Sequence, residues 1–308
     1  METNKYVFGP VPSRRLGLSL GISPLLRKTC NYACVYCQLG RTSRMINERQ
    51  EFVPLSIMVT EFRNFLKSGV PFDVVTIVGE GEPTLALNLG QLLSAVQELT
   101  DKPVAVITNG SWLAAEEVRA ALQKADLVLP SLDAYDEESF RQINRPWGKL
   151  KFKEVYEGLR CFSQEYQGQL WLETMLVQGL NDDEEALKKL KGLLQGLKYQ
   201  RLYLNTPVRP PAESWVTPPA PAVVQKAVQL LGGMSIDSLA EGSFYSEIKD
   251  DYAAVLSIIG RHPLNQHELS SFLASRQCPN PEVVLSKLKQ EQKVEIVFYK
   301  GYHTYRLV

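Results

Sequence analysis

The 308-residue sequence predicts an α/β fold, in which a partial barrel of six strand–helix repeats precedes a small C-terminal domain of a different kind. The first observation is that hydrophobic runs of strand length alternate with longer helical patterns as far as about residue 235. The second is that each repeat takes about 30–40 residues, which is typical of parallel strands joined by right-handed crossovers. Six such repeats are too few for a closed eight-fold barrel and fit a partial, open (β/α)6 barrel.

The predicted elements of this barrel follow one another without interruption. The strands are expected at 16–22, 73–78, 103–107, 125–129, 169–177 and 200–204. The helices are expected at 53–68, 85–99, 114–123, 137–140, 152–165, 183–194 and 222–231. In barrels of this kind the chemistry belongs at the C-terminal ends of the strands, where the loops that lead into the helices converge.

The sequence changes character from about residue 250. Three short helices are expected, with Asn265 as a plausible N-cap of the second and Glu268 at its capping-box position. A hairpin of two strands at 294–299 and 302–307 follows the helices. Three helices before a two-stranded wing are typical of a winged-helix domain. The predicted organisation is therefore a barrel over 1–235, a linker over 236–249 and a winged-helix-like domain over 250–308.

Composition and charge exclude several classes of protein. Lys plus Arg and Asp plus Glu number 34 each, so the global charge favours no polyanionic partner. Residues 1–50 nevertheless carry eight basic and two acidic side chains, a patch that either attracts an anion or is a solvated face. No run approaches the ~18 apolar residues of a spanning helix, and no signal peptide is evident. With five cysteines, three of them clustered, we expect a cytoplasmic protein without membrane association.

The most specific feature is a group of three cysteines, Cys30, Cys34 and Cys37, with C-x3-C-x2-C spacing. A structural zinc site needs four protein ligands, and every histidine and other cysteine lies more than 120 residues downstream. A 4Fe–4S cluster held by three cysteines instead leaves one iron open to a small molecule. The alternatives are three thiols in a core and a zinc site that a distant residue completes.

This spacing, with the aromatic Tyr36 just before the third cysteine, resembles the radical S-adenosylmethionine (SAM) superfamily. The resemblance implies one 4Fe–4S cluster and SAM as cofactors, and an external reductant such as flavodoxin or ferredoxin. It implies that the open iron chelates the amino and carboxylate groups of SAM, and that reduction releases a 5′-deoxyadenosyl radical. Tyr36 would then face the adenine; the alternative is an ordinary buried tyrosine.

A second motif, Gly79-Glu80-Gly81-Glu82-Pro83, comes directly after the second predicted strand. It resembles the Gly-Gly-Glu-Pro motif of the family, which implies a hydrogen bond to the amino group of SAM. Glycines let a backbone approach a ligand closely, and either a backbone carbonyl or the carboxylate of Glu82 can accept from an ammonium group. Glu80 stands where the first glycine is usual. By itself such a run is also an ordinary turn.

Polar side chains also stand at the ends of the later strands. The resemblance implies that Asn109, Ser131 and Asp133 contact the carboxylate and ribose hydroxyls of SAM, although all three residue types also cap helices. Glu173, within the fifth strand, is expected to point into the barrel as a further cofactor contact.

The substrate candidates are polar residues in stiff loops over the expected barrel mouth, where binding residues concentrate. Guanidinium groups clamp phosphate or carboxylate bidentately, but ordinary proline-rich loops explain the same pattern. The candidates are Arg14, Arg145, Asn205 and Arg209.

The stretch 8–17, together with 30–32 and 38–42, resembles the branch of the superfamily that includes wybutosine-type tRNA-modifying enzymes. Those enzymes need a second cluster, and Cys161 and Cys278 are too few to bind one, so the branch does not imply the reaction. Three hypotheses remain for the function. The chain is a radical SAM enzyme acting on tRNA or another nucleotide, a radical SAM enzyme acting on a peptide, protein or small metabolite, or an Fe–S sensor whose winged helix binds DNA.

Overall fold

The computed structural model describes residues 5–235, 244–246 and 248–308. The strands in chain order are β1 (Val7–Ser13), β2 (Gly17–Ile22), β3 (Thr29–Cys30), β4 (Arg44–Met45), β5 (Val74–Ile77), β6 (Val104–Thr108), β7 (Leu127–Pro130), β8 (Gln169–Met175), β9 (Arg201–Asn205), β10 (Met234–Ser235), β11 (Leu264–Asn265), β12 (Val294–Tyr299) and β13 (Tyr302–Leu307). The helices are α1 (Leu55–Leu66), α2 (Leu89–Gln97), α3 (Glu116–Leu122), α4 (Glu137–Ile143), α5 (Phe152–Glu165), α6 (Glu184–Gln195), α7 (Pro221–Leu231), α8 (Asp251–Ile259), α9 (Gln266–Ser275) and α10 (Pro281–Gln290).

The main sheet has the strand order β1-β2-β5-β6-β7-β8-β9-β10. From β2 to β10 all neighbours are parallel, whereas β1 is antiparallel to β2 at one edge. The sheet is open, because β1 and β10 lie at opposite edges of this order. The prediction of an α/β fold with parallel strands in a partial barrel is confirmed, and all six predicted barrel strands are present. We refer to β1–β10 with α1–α7 as the barrel.

The central strands form because most of their residues are apolar and are buried on both faces of the sheet. All four residues of β5 and all four of β7 are buried, which is characteristic of parallel strands covered by helices. Phe62 of α1, Leu92 of α2 and Phe162 of α5 are fully buried in the main core. Because this apolar core fills the space between sheet and helices, the polar residues lie at the carboxyl ends of the strands.

Strand β1 was not among the predicted elements. Two prolines, Pro10 and Pro12, lie in it, and proline removes the backbone donor that an interior strand needs. The strand tolerates them because it pairs with a neighbour on only one side, and its register with β2 shifts between Phe8 and Val11. The two-residue strands β3, β4, β10 and β11 were also missed, because such short pairings carry no periodic signal.

The C-terminal unit, which we define as α8–β13, contains three helices and an antiparallel sheet with the order β11-β13-β12. The predicted hairpin has the expected bounds. The predicted capping box is also present: Asn265 Oδ1 accepts from the Glu268 backbone N–H at 2.9 Å, and a Glu268 carboxylate oxygen accepts from the Asn265 N–H at 2.8 Å. The assignment of this unit to the winged-helix fold stays a prediction.

The predicted linker, 236–249, lies largely outside the described residues. Of its described part, Phe244 is buried in the core of the C-terminal unit, and Tyr245 packs against the barrel core beside Phe65. The end of this segment therefore joins the two cores. In the described ranges, the helices are all too short or too polar to cross a lipid bilayer.

Candidate active site

The loop with the three cysteines lies against the turn that follows β5. The backbone N–H of Glu82 donates to the carbonyl of Thr29 at 3.1 Å, directly before Cys30. Gly81 is bridged to the same residue, and a Cβ added at Gly81 would overlap the Thr29 carbonyl oxygen. The close approach of these two segments therefore requires a glycine at position 81.

Side-chain amides surround the sulfurs of the cysteine loop. Asn109, at the end of β6, places its Nδ2 3.8 Å from Cys30 Sγ, and Asn144 Nδ2 lies 3.6 Å from Cys34 Sγ. The backbone N–H of Tyr32 donates to Cys30 Sγ at 3.4 Å. Such donors stabilise negative charge on sulfur, which is the form in which cysteine binds metals.

The surroundings of the cysteines disfavour thiolates in the protein alone. Burial raises the pKa of the Cys30 thiol well above its usual value, and Cys34 and Glu82 raise it further. Burial also raises the pKa of Cys34, and the carboxylate of Asp133 adds to this effect. For Cys37, burial raises the pKa, while Lys28 lowers it. A cationic metal centre bound to the sulfurs would provide the positive charge that stabilises the thiolate form of these cysteines.

This donor set fits an iron–sulfur cluster better than a single ion. In the described parts of the chain, no three His, Cys, Asp or Glu side chains are grouped so that they could hold one metal ion. Zinc needs its ligands around one centre. A 4Fe–4S cluster binds each cysteine through a different iron, so three thiols on one loop need not converge on a single point.

Glu82 is buried and fully engaged within the protein. Its carboxylate accepts from the N–H and hydroxyl of Thr84, at 2.9 and 2.6 Å, and from the hydroxyl of Thr108 and the N–H of Asn109, both at 2.6 Å. Burial raises the pKa of Glu82, and these donors oppose the rise. Glu82 thus joins the turn to the end of β6. The Glu82 carboxylate thus already has donors within the protein, and the group that accepts from the ammonium of SAM stays a prediction.

Asp133 is likewise engaged. Its carboxylate accepts from the hydroxyl of Tyr36, from Asn144 Nδ2 at 2.8 Å and from the N–H of Met175 at 2.8 Å. Burial raises the pKa of Asp133, and these three donors oppose the rise. Asp133 therefore fixes the cysteine loop to β8. Its predicted contact with ribose and the predicted contact of Tyr36 with adenine stay predictions, and the two side chains bind each other here.

One cavity of about 480 Å³ extends from the cysteine loop to the C-terminal unit. Of the site residues predicted from the sequence, seven line it: Arg14, Tyr36, Cys37, Gly79, Glu173, Asn205 and Arg209. Asn109, Ser131 and Asp133 instead line a narrow pocket of about 20 Å³, together with Tyr32 of the cysteine loop. The prediction that Glu173 points into the barrel agrees with its place in the cavity wall.

Glu173 has an arginine partner that the sequence analysis did not select. Arg15 forms a buried ion pair with Glu173, and Asn205 Nδ2 lies 3.4 Å from the same carboxylate. Burial lowers the pKa of Arg15 to about 10, and the positive charge of Arg14 contributes to the decrease. The adjacent basic pair in 14–15 was visible in the sequence, but nothing in the sequence indicated that Arg15 pairs with Glu173.

Two of the predicted substrate arginines have other roles. Arg145 donates to Glu213 at 2.6 Å, outside the cavity, and we therefore withdraw it as a substrate contact. Arg209 lies in the cavity wall, but its guanidinium binds both carboxylate oxygens of Glu268, at 3.0 and 3.1 Å, and the carbonyl of Pro263. Arg209 therefore holds the loop after β9 against α9, and it is not free to clamp a ligand.

The C-terminal unit is a wall of the cavity. Tyr299 donates from its hydroxyl to the Pro207 carbonyl at 2.6 Å, and Arg306 donates to the carbonyls of Pro210 and Pro211 at 3.1 and 2.9 Å. Both contacts hold the loop after β9. From the barrel side, Arg27 of the cysteine loop donates to the carbonyl of Leu307 at 2.9 Å. The hairpin and the cysteine loop are thereby fixed to each other.

Glu80 explains why the turn departs from the family motif. Its side chain is buried, and its carboxylate lies 3.8 Å from Arg27 Nε and 3.7 Å from Arg261 Nε. Arg261 belongs to the C-terminal unit and also donates to the carbonyl of Lys5 at 2.5 Å. A glycine at position 80 would remove this carboxylate from the largely buried Arg261 and from the half-buried Arg27. No motif in the sequence indicated that Arg27 or Arg261 would contact Glu80.

The link between Arg209 and Glu268 is expected to stabilise the closed cavity. In a double-mutant cycle with Arg209→Gln and Glu268→Gln, we expect a coupling free energy of about 1–3 kcal/mol in chemical unfolding, because both groups are largely buried. Gln at 268 keeps the capping box. The exposed pair Arg160–Glu157, treated in the same way, is expected to show no coupling beyond error. Equal coupling in the two cycles would contradict the role of Arg209.

Comparison with known protein families gives a direct match. The model of the Radical SAM superfamily matches residues 26–190, which include the three cysteines and most of the barrel. A UPF0026 protein of Methanocaldococcus jannaschii is 36% identical over 305 residues, and the alignment covers 96% of this chain and 93% of that protein.

Solved structures agree on the fold. The structure of TYW1 with a lysine-pyruvate adduct bound superposes with a TM-score of 0.51 at 19% identity, over 70% of this chain and 74% of that one. The structure of native anSMEcpe with bound AdoMet gives a TM-score of 0.53 at 19% identity, over 70% and 59% of the two chains. At these identities the likeness concerns the barrel fold alone.

Proposed function

This chain belongs to the radical SAM superfamily, whose members use a 4Fe–4S cluster and SAM, and from that membership we propose how its residues perform the chemistry. Cys30, Cys34 and Cys37 bind the single cluster. The cluster, once reduced by an external donor such as flavodoxin or ferredoxin, supplies the electron that cleaves the C5′–S bond of SAM. The resulting 5′-deoxyadenosyl radical abstracts a hydrogen atom from a substrate in the cavity.

The protein prepares this site in advance. Asn109 and Asn144 donate toward the sulfurs of Cys30 and Cys34, and the backbone of 79–81 accepts from the ammonium group of SAM. Glu82 and Asp133 do not need to move, because their carboxylates already hold β6, β8 and the cysteine loop in place. A preorganised site of this kind avoids reorganisation when the ligand binds.

The observation that carries the proposal is the cavity that reaches from Tyr36 and Cys37 past Gly79 to the C-terminal unit. Its volume is that of a site for a small molecule, so the substrate is a small molecule or one unit of a larger chain, such as a nucleotide of tRNA. Because the C-terminal unit is built into the cavity wall, it favours an enzyme over an Fe–S sensor with a separate DNA-binding module. A second candidate substrate class, a peptide or protein side chain, fits the same volume.

The test is anaerobic reconstitution with iron and sulfide, followed by incubation with SAM and a strong reductant. We expect 5′-deoxyadenosine and methionine to accumulate, as measured by mass spectrometry. A protein that binds its full complement of iron but neither binds nor cleaves SAM would contradict the proposal. For the tRNA branch of the proposal, nucleosides of tRNA from cells with and without the protein should differ.

A further inference from the structure

Two basic segments border the cysteine loop outside the cavity. Residues 37–47 contain two basic side chains and no acidic one, and residues 139–153 contain five basic side chains and no acidic one. Both segments are bonded to the loop through their backbone. A backbone N–H of the first donates to the carbonyl of Cys30 at 3.1 Å, and one of the second donates to the carbonyl of Asn31 at 2.8 Å. The basic side chains are therefore held beside the loop that binds the cluster.

One acidic side chain, Glu213, pairs with both segments and lies beneath them. Its carboxylate accepts from Arg41 at 3.0 Å and from Arg145 at 2.6 Å. Its backbone N–H donates at 3.1 Å to the carbonyl of Val35, which lies within the cysteine loop. The Glu213 side chain is only 11% exposed, whereas that of Arg41 is 77% exposed and that of Arg145 is 41% exposed. An approaching protein therefore meets two guanidinium groups, while their shared counter-charge is covered.

Large apolar side chains are exposed on the same surface. Trp215 is 52% exposed, and Met45, which is paired in register with Cys30, is exposed as well. Arg44 and Lys149 are also exposed. Tryptophan, methionine and arginine are the residues that protein interfaces contain in excess over the rest of a protein surface. We define the basic face as Arg41, Arg44, Met45, Arg145, Lys149 and Trp215.

The basic face lies close to the cluster ligands but outside the cavity. Asn144, whose side chain contacts Cys34 Sγ at 3.6 Å, directly precedes Arg145 in the chain. The six residues of the basic face are all outside the cavity wall, to which the cysteine loop contributes Tyr36 and Cys37. A second protein can therefore approach the cluster from the basic face without displacing a molecule that is bound in the cavity.

We propose that the basic face is the docking site of the external reductant, and that this reductant is a small acidic electron-transfer protein. The inference rests on the proposed function, which requires such a donor. One electron leaves the reduced flavin or iron–sulfur centre of the carrier and enters the cluster, so the carrier is oxidised and the cluster is reduced by one electron. Exposed basic groups steer an acidic partner and speed its association. Electron-transfer complexes bury about 1,200 Å² or less, which suits a face of six side chains.

The test uses the reconstituted holoenzyme and two probes, reduced flavodoxin and reduced ferredoxin. Stopped-flow absorbance measures the rate of cluster reduction, and calorimetry measures binding of the oxidised probes. In the double variant Arg44→Glu/Lys149→Glu, we expect reduction by at least one probe to be about tenfold slower or more at low ionic strength. The difference should shrink at physiological salt, which screens exposed charges. Trp215→Ala should weaken binding of the same probe about fivefold or more, at either ionic strength.

The matched control is Arg160→Glu/Lys191→Glu, which changes the net charge by the same amount at exposed positions of α5 and α6. It should be reduced at the wild-type rate, and circular dichroism and iron content should show that every variant is folded and loaded. The inference is overturned if both probes reduce the Arg44→Glu/Lys149→Glu variant at the wild-type rate, or if the control is slowed equally. Loss of tRNA binding with unchanged reduction would identify a nucleic-acid surface and would overturn it too.

Dithionite, a small reductant that needs no docking site, separates the docking site from the proposed function. With dithionite, the variants of the basic face should form 5′-deoxyadenosine as the wild type does, and an equal loss with dithionite would refute the docking site. SAM cleavage with dithionite, together with carrier reduction that does not depend on the basic face, would refute the docking site and leave the proposed function standing. Carrier reduction that depends on the basic face, without SAM cleavage by any reductant, would refute the proposed function and leave the docking site standing.

Discussion

Cys34→Ala is expected to reduce 5′-deoxyadenosine formation by the reconstituted enzyme to the level of the buffer control. Cys34 is the central cysteine of the loop, and with two ligands left the cluster loses the third iron–sulfur bond that holds it. The fold should survive, since Cys34 packs at the edge of a small cluster around Tyr32 and Phe140, where alanine removes a single sulfur atom. Iron and sulfide content, visible absorbance and product formation measure the effect together.

Cys161→Ala is the matched control for this experiment. Cys161 is a half-buried thiol on α5, and the sequence analysis places it outside the cluster. Its replacement should leave iron content and SAM cleavage at the wild-type level. Full cleavage by Cys34→Ala, or loss of iron in both variants to the same degree, would overturn the assignment of the cluster ligands.

Gly81→Ala is expected to have the second-largest effect, both on stability and on SAM binding. The new methyl group would overlap the carbonyl oxygen of Thr29, and a backbone atom cannot move aside as a flexible side chain can. The turn and the cysteine loop must separate, which costs about 3 kcal/mol or more. It also displaces the backbone of residues 79–81, which we propose accepts from the ammonium group of SAM. Chemical unfolding of the apoprotein and SAM titration of the holoprotein measure the two consequences.

The control for the glycine is Gly192→Ala in the middle of α6. A Cβ at position 192 has no neighbour within 4 Å in the described structure, and alanine is the better helix former. We expect this variant to be as stable as the wild type or more stable by up to about 1 kcal/mol, with unchanged affinity for SAM. Wild-type SAM affinity in Gly81→Ala would show that the turn does not form the cofactor site.

The sequence predicted the barrel well because its signals are local. The six central strands are short apolar runs, and seven helices begin and end within a few residues of their expected bounds, with α5 at the predicted positions. The capping box at Asn265 and Glu268 was visible because its two residues are three positions apart. The edge strand β1 was not predicted because its prolines argue against a strand. A strand can contain proline when it pairs with only one neighbouring strand, and the position of a strand in the sheet cannot be read from its own sequence.

The sequence indicated many of the residues that form the candidate site, but it did not indicate which charged side chains pair with each other. Residues near the motifs, such as Tyr36, Gly79 and Glu173, do line the cavity. Whether a charged group is available to a ligand depends on its partner, and for Arg209 that partner, Glu268, lies 59 residues further along the chain. Glu80 shows the same limit. From the sequence it is a deviation from a motif, whereas in the structure it is the counter-charge of two arginines.

The hydrogen bond from Arg27 to the carbonyl of Leu307 joins residues 280 positions apart. Synthesis proceeds from the N-terminus, so the barrel strands are complete long before β13 leaves the ribosome. The cysteine loop therefore spends the last part of translation with one side of its cavity open to solvent. Closing so long a loop costs little more entropy than closing one of half the length, because the cost grows only with the logarithm of the length. The hydrogen bond from Arg27 to Leu307 can therefore form only after the barrel strands have been made.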